Sequence, residues 1–306
     1  MNVPQISVIV LVGEKGYGFN RFYSSFINTQ PIEKVEIIFI LPESTLFECS
    51  EKEKFSAYKE IRYTHTNYFN KIKQAVEECS AEYILFQESH TDLKVNVIDS
   101  FLKYAVNNQY ACIGCLMYPG EDMSFTDWVA YLGHYSGWGP GTKGGSDVNF
   151  VPGHNCVYKK SHLIELGKDL EIYLYADTII QWKFLEKGLK LYLIDEVYMI
   201  HDDKMTFWNL LTENFWYGWI FSYARSRMHH WSIAKRLLYA VLVYVKPLIR
   251  IKNYLKTPLD NYSISKGKRL PAFFAILFSY YWNALGESFG VIFGDKLAAK
   301  KFSEAH

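Results

Sequence analysis

The chain has 306 residues, 49% of them hydrophobic, which is ample material for one large domain or for one domain with an appendage. Its formal charge of +1 conceals an asymmetry: residues 1–224 hold 19 basic and 28 acidic side chains, whereas 225–269 hold 11 basic ones against Asp260 alone. Five scattered cysteines (Cys49, Cys79, Cys112, Cys115, Cys156) imply no disulfide framework and fit a reducing, cytosolic setting.

Ile6 to Val12 is an apolar, β-branched run that predicts a buried parallel strand at the start of the chain, where a signal peptide would have a basic region. Gly13, Gly16 and Gly18 then loop into a helix over 20–27. Val35 to Leu41 predicts a second strand, closed by Pro42-Glu43-Ser44, and Ile61 to Thr64 a short third one. Apolar residues at helical spacing (Ile72, Ala75, Val76, Cys79) predict a helix over 70–79. The next strand, Tyr83 to Phe86, stops in Gln87, Glu88, Ser89, His90 and, two further on, Asp92. In extended geometry Glu88 and His90 leave the same face. A helix over 95–107 and a strand over 111–117 continue the βαβα alternation, which predicts a parallel sheet between helices. Cys112 and Cys115 have metal-knuckle spacing, but they fall within that apolar strand and read as packing.

Residues 119–152 are rich in glycine and aromatics and read as a long, functional loop. Pro152-Gly-His154-Asn155 closes it. A short helix over 161–167 and a longer one over 173–188, with Asp177 in its early turns, lead to strands at 189–194 and 197–201; the last ends in His201-Asp202-Asp203. Residues 205–306 are helical, aromatic and partly basic, and 270–294 are long enough to span a bilayer. The internal Asn283 and Glu287 speak against a lipid-facing span. Interfacial or re-entrant helices are expected first, core helices second and one true span third, with an anionic membrane surface as partner. A solvated basic face is the plainer alternative. Nucleic acid is not expected, because the basic stretch is interleaved with aliphatic runs.

The order ISVIVLV, VEIIFILPE, EYILFQESH, VPGHNCVYKK, YADTIIQWKFLEKG and VYMIHDD resembles the inverting GT-A-fold glycosyltransferases of the family 2 group over about residues 5–203. The resemblance implies a GT-A-like domain over 1–204 and a helical, membrane-associated region over 205–306. It also implies transfer of a sugar from a nucleotide-sugar donor to a glycan or lipid-linked acceptor with inversion, in polysaccharide biosynthesis at the inner face of the plasma membrane. Position by position, Glu43 falls on the acid that binds the donor nucleoside, and Val12-Gly13-Glu14 stands where Thr-Tyr-Asn is usual, so Gly13 borders the donor. Glu88 and His90 fall on the metal-binding DXD, Asp177 on the general base, and His201 on the histidine after the last strand. Glu88-Ser-His90 and Gly153-His154-Asn155 resemble a branch with Glu-x-His in place of DXD.

An inverting transfer needs a base, charge stabilisation on the leaving diphosphate and a site that excludes water. Asp177 is the expected base. Glu88, His90 and His201 are candidate ligands for a divalent metal, Mn²⁺ tolerating histidine better than Mg²⁺. If His90 is no ligand, it can hydrogen-bond the diphosphate with Asp92 as a spare acid. Trp128 or Trp138, His154 and Asn155 are expected on the acceptor side, and Lys159 or Lys160 near phosphate or solvent. Two rival readings keep the scaffold: a silent nucleotide- or glycan-binding protein, and a nucleotidyl or phosphosugar transferase.

Overall fold

A computed structural model describes residues 3–13, 16, 18–64, 67–106, 109–174 and 176–294. In chain order the elements begin with β1 (Ile6–Leu11), α1 (Phe19–Thr29), β2 (Val35–Pro42), β3 (Ala57–Tyr63), α2 (Tyr68–Glu78), β4 (Tyr83–Glu88) and β5 (Thr91–Leu93). There follow α3 (Val97–Ala105), β6 (Tyr110–Pro119), α4 (Phe125–His134), β7 (Ser146–Val148), β8 (Cys156–Lys159), α5 (Lys160–Ile164), α6 (Leu170–Leu174), α7 (Asp177–Glu186) and β9 (Lys190–His201). The chain closes with α8 (Phe207–Met228), α9 (Ile233–Leu242), α10 (Lys246–Lys256) and α11 (Lys266–Phe293). Two compact units result: residues 1–118 with 142–203, and residues 119–141 with 204–306.

The first unit is the expected α/β body. Its sheet runs β3-β2-β1-β4-β8-β6-β9-β5, and β7 pairs with β9 off this path. β1, β2, β3 and β4 are parallel, and β1, β2 and β4 carry the apolar runs that such strands need. Every residue of β2 is buried, because helices cover both faces: Phe39 meets Phe19 of α1, and α2 packs on β1, β2 and β3. β8 joins β4 and β6 antiparallel, and β5 and β7 join β9 antiparallel. At the amino ends of β1 and β2, fully buried Glu36 accepts hydrogen bonds from Ser7 Oγ (2.5 Å), Ser80 N (2.6 Å) and Ser80 Oγ (2.9 Å), with Lys59 Nζ at 3.4 Å. Burial works against that charge, but these donors together hold the carboxyl below its ordinary value.

Three sequence expectations change. The strands expected at 189–194 and 197–201 are one strand, β9, and the helix expected over 173–188 divides so that α7 begins at Asp177. The supposed loop over 119–152 contains α4, whose start is fixed by a capping box between Ser124 and Asp127. Trp128 lies on that helix at 5% exposure, packed with Tyr131 and Tyr262, so it fills a core and cannot stack on a sugar.

The second unit is helical. α8 and α11 cross at van der Waals distance through Gly218, Gly286 and Gly290, where any Cβ would run into the facing backbone. The polar residues that interrupt the apolar run of α11 are buried and paired. Asn283 Nδ2 donates to Asn214 O (2.9 Å), and Arg250 Nη1 donates to Asn283 Oδ1 (2.9 Å). Glu287 accepts from Lys246 Nζ at 2.5 Å and from the Tyr239 hydroxyl. Among the described residues, no helix is long and apolar enough to cross a membrane.

Candidate functional site

The site is built where the parallel strands end. Leu11 of β1 lies opposite Glu88, the last residue of β4, and Ser89 N donates to Leu11 O at 3.1 Å. The chain does not run straight through His90 as the two-residue spacing suggested. It turns at Ser89-His90 and returns as β5, and fully buried Gln87 pins the turn by donating to Thr91 O (2.8 Å) and Glu88 O (3.0 Å). β5 pairs antiparallel with the end of β9, which sets Thr91 against His201. Histidines 111 residues apart in sequence thereby face each other.

The Nε2 atoms of His90 and His201 are 3.1 Å apart, with their rings nearly perpendicular. Glu88 Oε2 lies 3.6 Å from the first and 3.7 Å from the second. Ligands bound to one cation at about 2.0–2.2 Å stand about 3.0–3.6 Å from one another in octahedral or tetrahedral arrangements. The three atoms therefore have the spacing of a single metal site, and two imidazoles with one carboxylate suit Mn, Fe or Zn better than Mg or Ca.

A second layer fixes Glu88. Asn155 is wholly buried, donates from Nδ2 to Glu88 Oε2 (2.7 Å) and accepts from Glu88 N through Oδ1 (3.1 Å). His154 Nδ1 donates to Glu88 Oε1 at 3.2 Å. Burial alone would raise the Glu88 carboxyl, yet His90, His154 and His201 hold it well below the usual carboxylate range. Burial disfavours charge on His154 too, but Glu88 and Asp177 together push its pKa up. Asn155 was expected on the acceptor side; its burial and its two bonds to Glu88 make it a support for that carboxylate instead.

The segment that carries His154 is tightly held. Gln181 of α7 clasps Val151, accepting from its N and donating to its O, both at 2.9 Å. Gly153 O accepts from the Tyr158 hydroxyl (2.8 Å), and Asn155 N donates to Phe86 O (2.8 Å). Asp177, half-buried at the start of α7, lies so close over Gly153 that a Cβ there would overlap its carboxylate. Asp177 and His154 share a small cavity with Leu11, Phe86, Tyr158 and Leu174.

On the other flank α1 grips the turn. Gly18, at φ 72°, approaches His90 so closely that a Cβ would lie 2.9 Å from its Cα. Arg21 Nε pairs with Asp92 at 2.8 Å, and its Nη atoms reach Asp202 and, at 3.3 Å, His90 O. Asp92 is thus committed to Arg21 rather than spare, although burial still pushes its carboxyl up. Sequence reading missed Arg21; its only signal was a basic residue in the first helix after β1.

Glu43 is exposed directly after β2, and Gly13 follows β1 by two residues, both at this end of the sheet. Lys159 and Lys160 are not at this end. β8 runs antiparallel to β4, so Lys159 pairs with Tyr83 at the start of β4, and Lys160 Nζ donates to Cys79 O at 2.5 Å. Trp138 is half-buried in the second unit.

No family model matches the chain, and no curated protein matches it. The chain is similar to the crystal structure of GalNAc-T7 with UDP, GalNAc and Mn²⁺, at 14% identity and a TM-score of 0.48. The match covers 67% of this chain and 45% of that one.

Proposed function

We propose that the chain is an inverting GT-A-type glycosyltransferase that moves a sugar from a nucleotide-sugar donor to a glycan or lipid-linked acceptor. A cytoplasmic place at the inner face of the plasma membrane goes with that acceptor class. The observation that carries the reading is one juxtaposition: Glu88, His90 and His201 converge at the carboxyl ends of the sheet, and the Asp177 carboxylate lies beside the Gly153-His154 turn. In open α/β sheets this is where ligands bind.

Glu88, His90 and His201 would hold a divalent cation, Mn²⁺ being the best fit, which supplies positive charge where the donor diphosphate leaves. His154 and Asn155 orient the Glu88 carboxylate and keep it ionised for that task. Glu43 and Gly13 border the donor nucleoside. Asp177 takes the acceptor hydroxyl proton as that oxygen bonds to the anomeric carbon, while the bond from that carbon to the diphosphate oxygen breaks on the opposite face. The apolar walls given by Leu11, Phe86 and Leu174 keep water from competing at that carboxylate.

Donor turnover with Mn²⁺ and a panel of acceptors tests this. Asp177→Asn is expected to lose about 10²–10⁴-fold in kcat and to keep Mn²⁺ affinity. Gly153→Ala displaces the same carboxylate without touching its chemistry and is expected to lose about 10²-fold. Undiminished turnover in Asp177→Asn, or a product with retained anomeric configuration by NMR, would overturn the assignment. Release of pyrophosphate in place of a nucleoside diphosphate would instead indicate nucleotidyl transfer.

A further inference from the structure

Helix α9 turns its apolar face to water, and α10 adds exposed aliphatic side chains beside it. Both pack on α11. On the side toward α11 lie polar groups: Tyr239 and Lys246 bond to Glu287, which is 2% exposed, and Arg250 bonds to Asn283. On the opposite side of α9 stand Ile233, Leu237, Leu238, Val241 and Leu242, each more than half exposed. Their spacing places them within one half-turn arc of the helix. α10 continues the surface with Leu248, Ile249 and Leu255, again more than half exposed. A helix packed on a protein body in water buries its apolar stripe; α10 does so with Pro247, Ile251 and Tyr254, whereas α9 buries only Ala240 and turns its stripe outward, and α10 extends that exposed surface.

Charge selects the occupant. Lys235, Lys252 and Lys256 are exposed among these side chains, and no Asp or Glu stands between Glu213 and Asp260. A second copy docking through the same patch would set lysines against lysines, since a two-fold contact is self-complementary. An anionic lipid surface satisfies both features, acyl chains taking the aliphatic side chains and headgroups the ammonium groups.

We propose that the outward face of α9 and α10 lies in the plane of an anionic bilayer, with its Leu, Ile and Val side chains at the headgroup–acyl boundary. The inference rests on the membrane placement above and deepens it by naming the face.

Flotation of the full chain with phosphatidylserine-containing and with pure phosphatidylcholine vesicles tests it. The wild type is expected to float with the anionic vesicles and to release with salt. Leu238→Glu with Val241→Glu is expected to weaken partitioning by about tenfold or more. Lys252→Gln and Lys256→Gln, which leave the apolar stripe intact, are each expected to weaken it by about fivefold at low salt. Thermal melts followed by circular dichroism confirm that each variant is folded, and the lysine pair stands alone as a test if the double Glu variant is not. Anionic-vesicle binding unaltered in folded variants overturns the face while leaving the membrane placement standing. Failure of the wild type to bind either vesicle overturns both. Self-association through these residues without vesicle binding makes a second copy the occupant and overturns the proposal.

Discussion

Gly18→Ala is the sharpest test of how the turn bearing His90, a proposed metal ligand, is held. Gly18 begins α1 at φ 72°, and a Cβ there would lie 2.9 Å from His90 Cα, 3.1 Å from Ser89 O and 3.2 Å from His90 Cβ. Carbon–carbon contacts settle at about 3.5–4.0 Å, so the turn has to retreat by about 0.6 Å or more. The obstructing atoms are backbone and Cβ, which no rotamer change can move aside. Overpacking of this kind costs about 1–3 kcal/mol, and the left-handed conformation adds about 1 kcal/mol for alanine. The retreat carries His90 away from Glu88 and His201, whose nitrogen and oxygen atoms now stand 3.1–3.7 Å from its Nε2 or from one another. Loss of Mn²⁺ affinity by about 10–100-fold is expected, the size seen when a ligand's support is disturbed.

Gly16→Ala supplies the control. Gly16 also has positive φ, at 57°, but a Cβ there meets nothing within 4 Å. It therefore carries the backbone strain, about 1 kcal/mol, without the collision, and its Mn²⁺ affinity is expected to stay at the wild-type value. Titration of Mn²⁺ followed by electron paramagnetic resonance, with thermal melts alongside, reads both quantities. Equal loss of affinity in the two variants, or full affinity in Gly18→Ala, would refute the reasoning.

Asn155→Gly keeps the left-handed backbone (φ 62°) while removing both bonds to Glu88, so it leaves a buried carboxylate short of a donor and the Glu88 N–H without its acceptor. A stability loss of about 3 kcal/mol and about 10–100-fold weaker Mn²⁺ binding are expected; a melt and a titration matching wild type would exclude the supporting role. Glu36→Gln at the opposite end of the sheet is expected to cost about 2–3 kcal/mol at neutral pH and to flatten the acid arm of the stability curve. The folded carboxyl sits below its ordinary value of 4.5, so its contribution is complete above that pH and is lost as pH falls through the lower folded value. Urea midpoints at pH 7 and pH 3 that fall equally in wild type and variant would contradict this.

The sequence disclosed the body of the fold because parallel strands buried on both faces write themselves as unbroken apolar runs. Residues 6–12, 35–41 and 83–86 are such runs, and β1, β2 and β4 lie on them. β5 escaped notice because Thr91-Asp92-Leu93 has no pattern of its own; it is a strand only through its pairing with β9. α4 was hidden by its glycine-rich surroundings, although Ser124 three residues before Asp127, ahead of Trp-Val-Ala-Tyr-Leu, is a helix-start signature. The outward apolar face of α9 was equally invisible. Periodicity gives the stripe but not its direction, which depends on where α11 places Glu287 and Asn283.

Glu88, His90 and His201 were legible because each ends an apolar strand run, and a polar cluster at that point has no packing purpose. Arg21 was not, and Asn155 was singled out for a different role, since what each does depends on reach across the tertiary structure rather than on any local pattern. The composition of the cluster has a consequence of its own. One carboxylate and two neutral imidazoles around a divalent cation leave one net positive charge, whereas two carboxylates would leave none. The site has the low exposure that keeps such a charge from being screened, with His201 at 7% and the Glu88 side chain at 17%. A donor diphosphate would meet that uncompensated charge directly. In the proposed transferase, an acid and two histidines in place of two acids would strengthen the pull on the leaving group, with the buried Asn155 and His154 holding the one carboxylate in place.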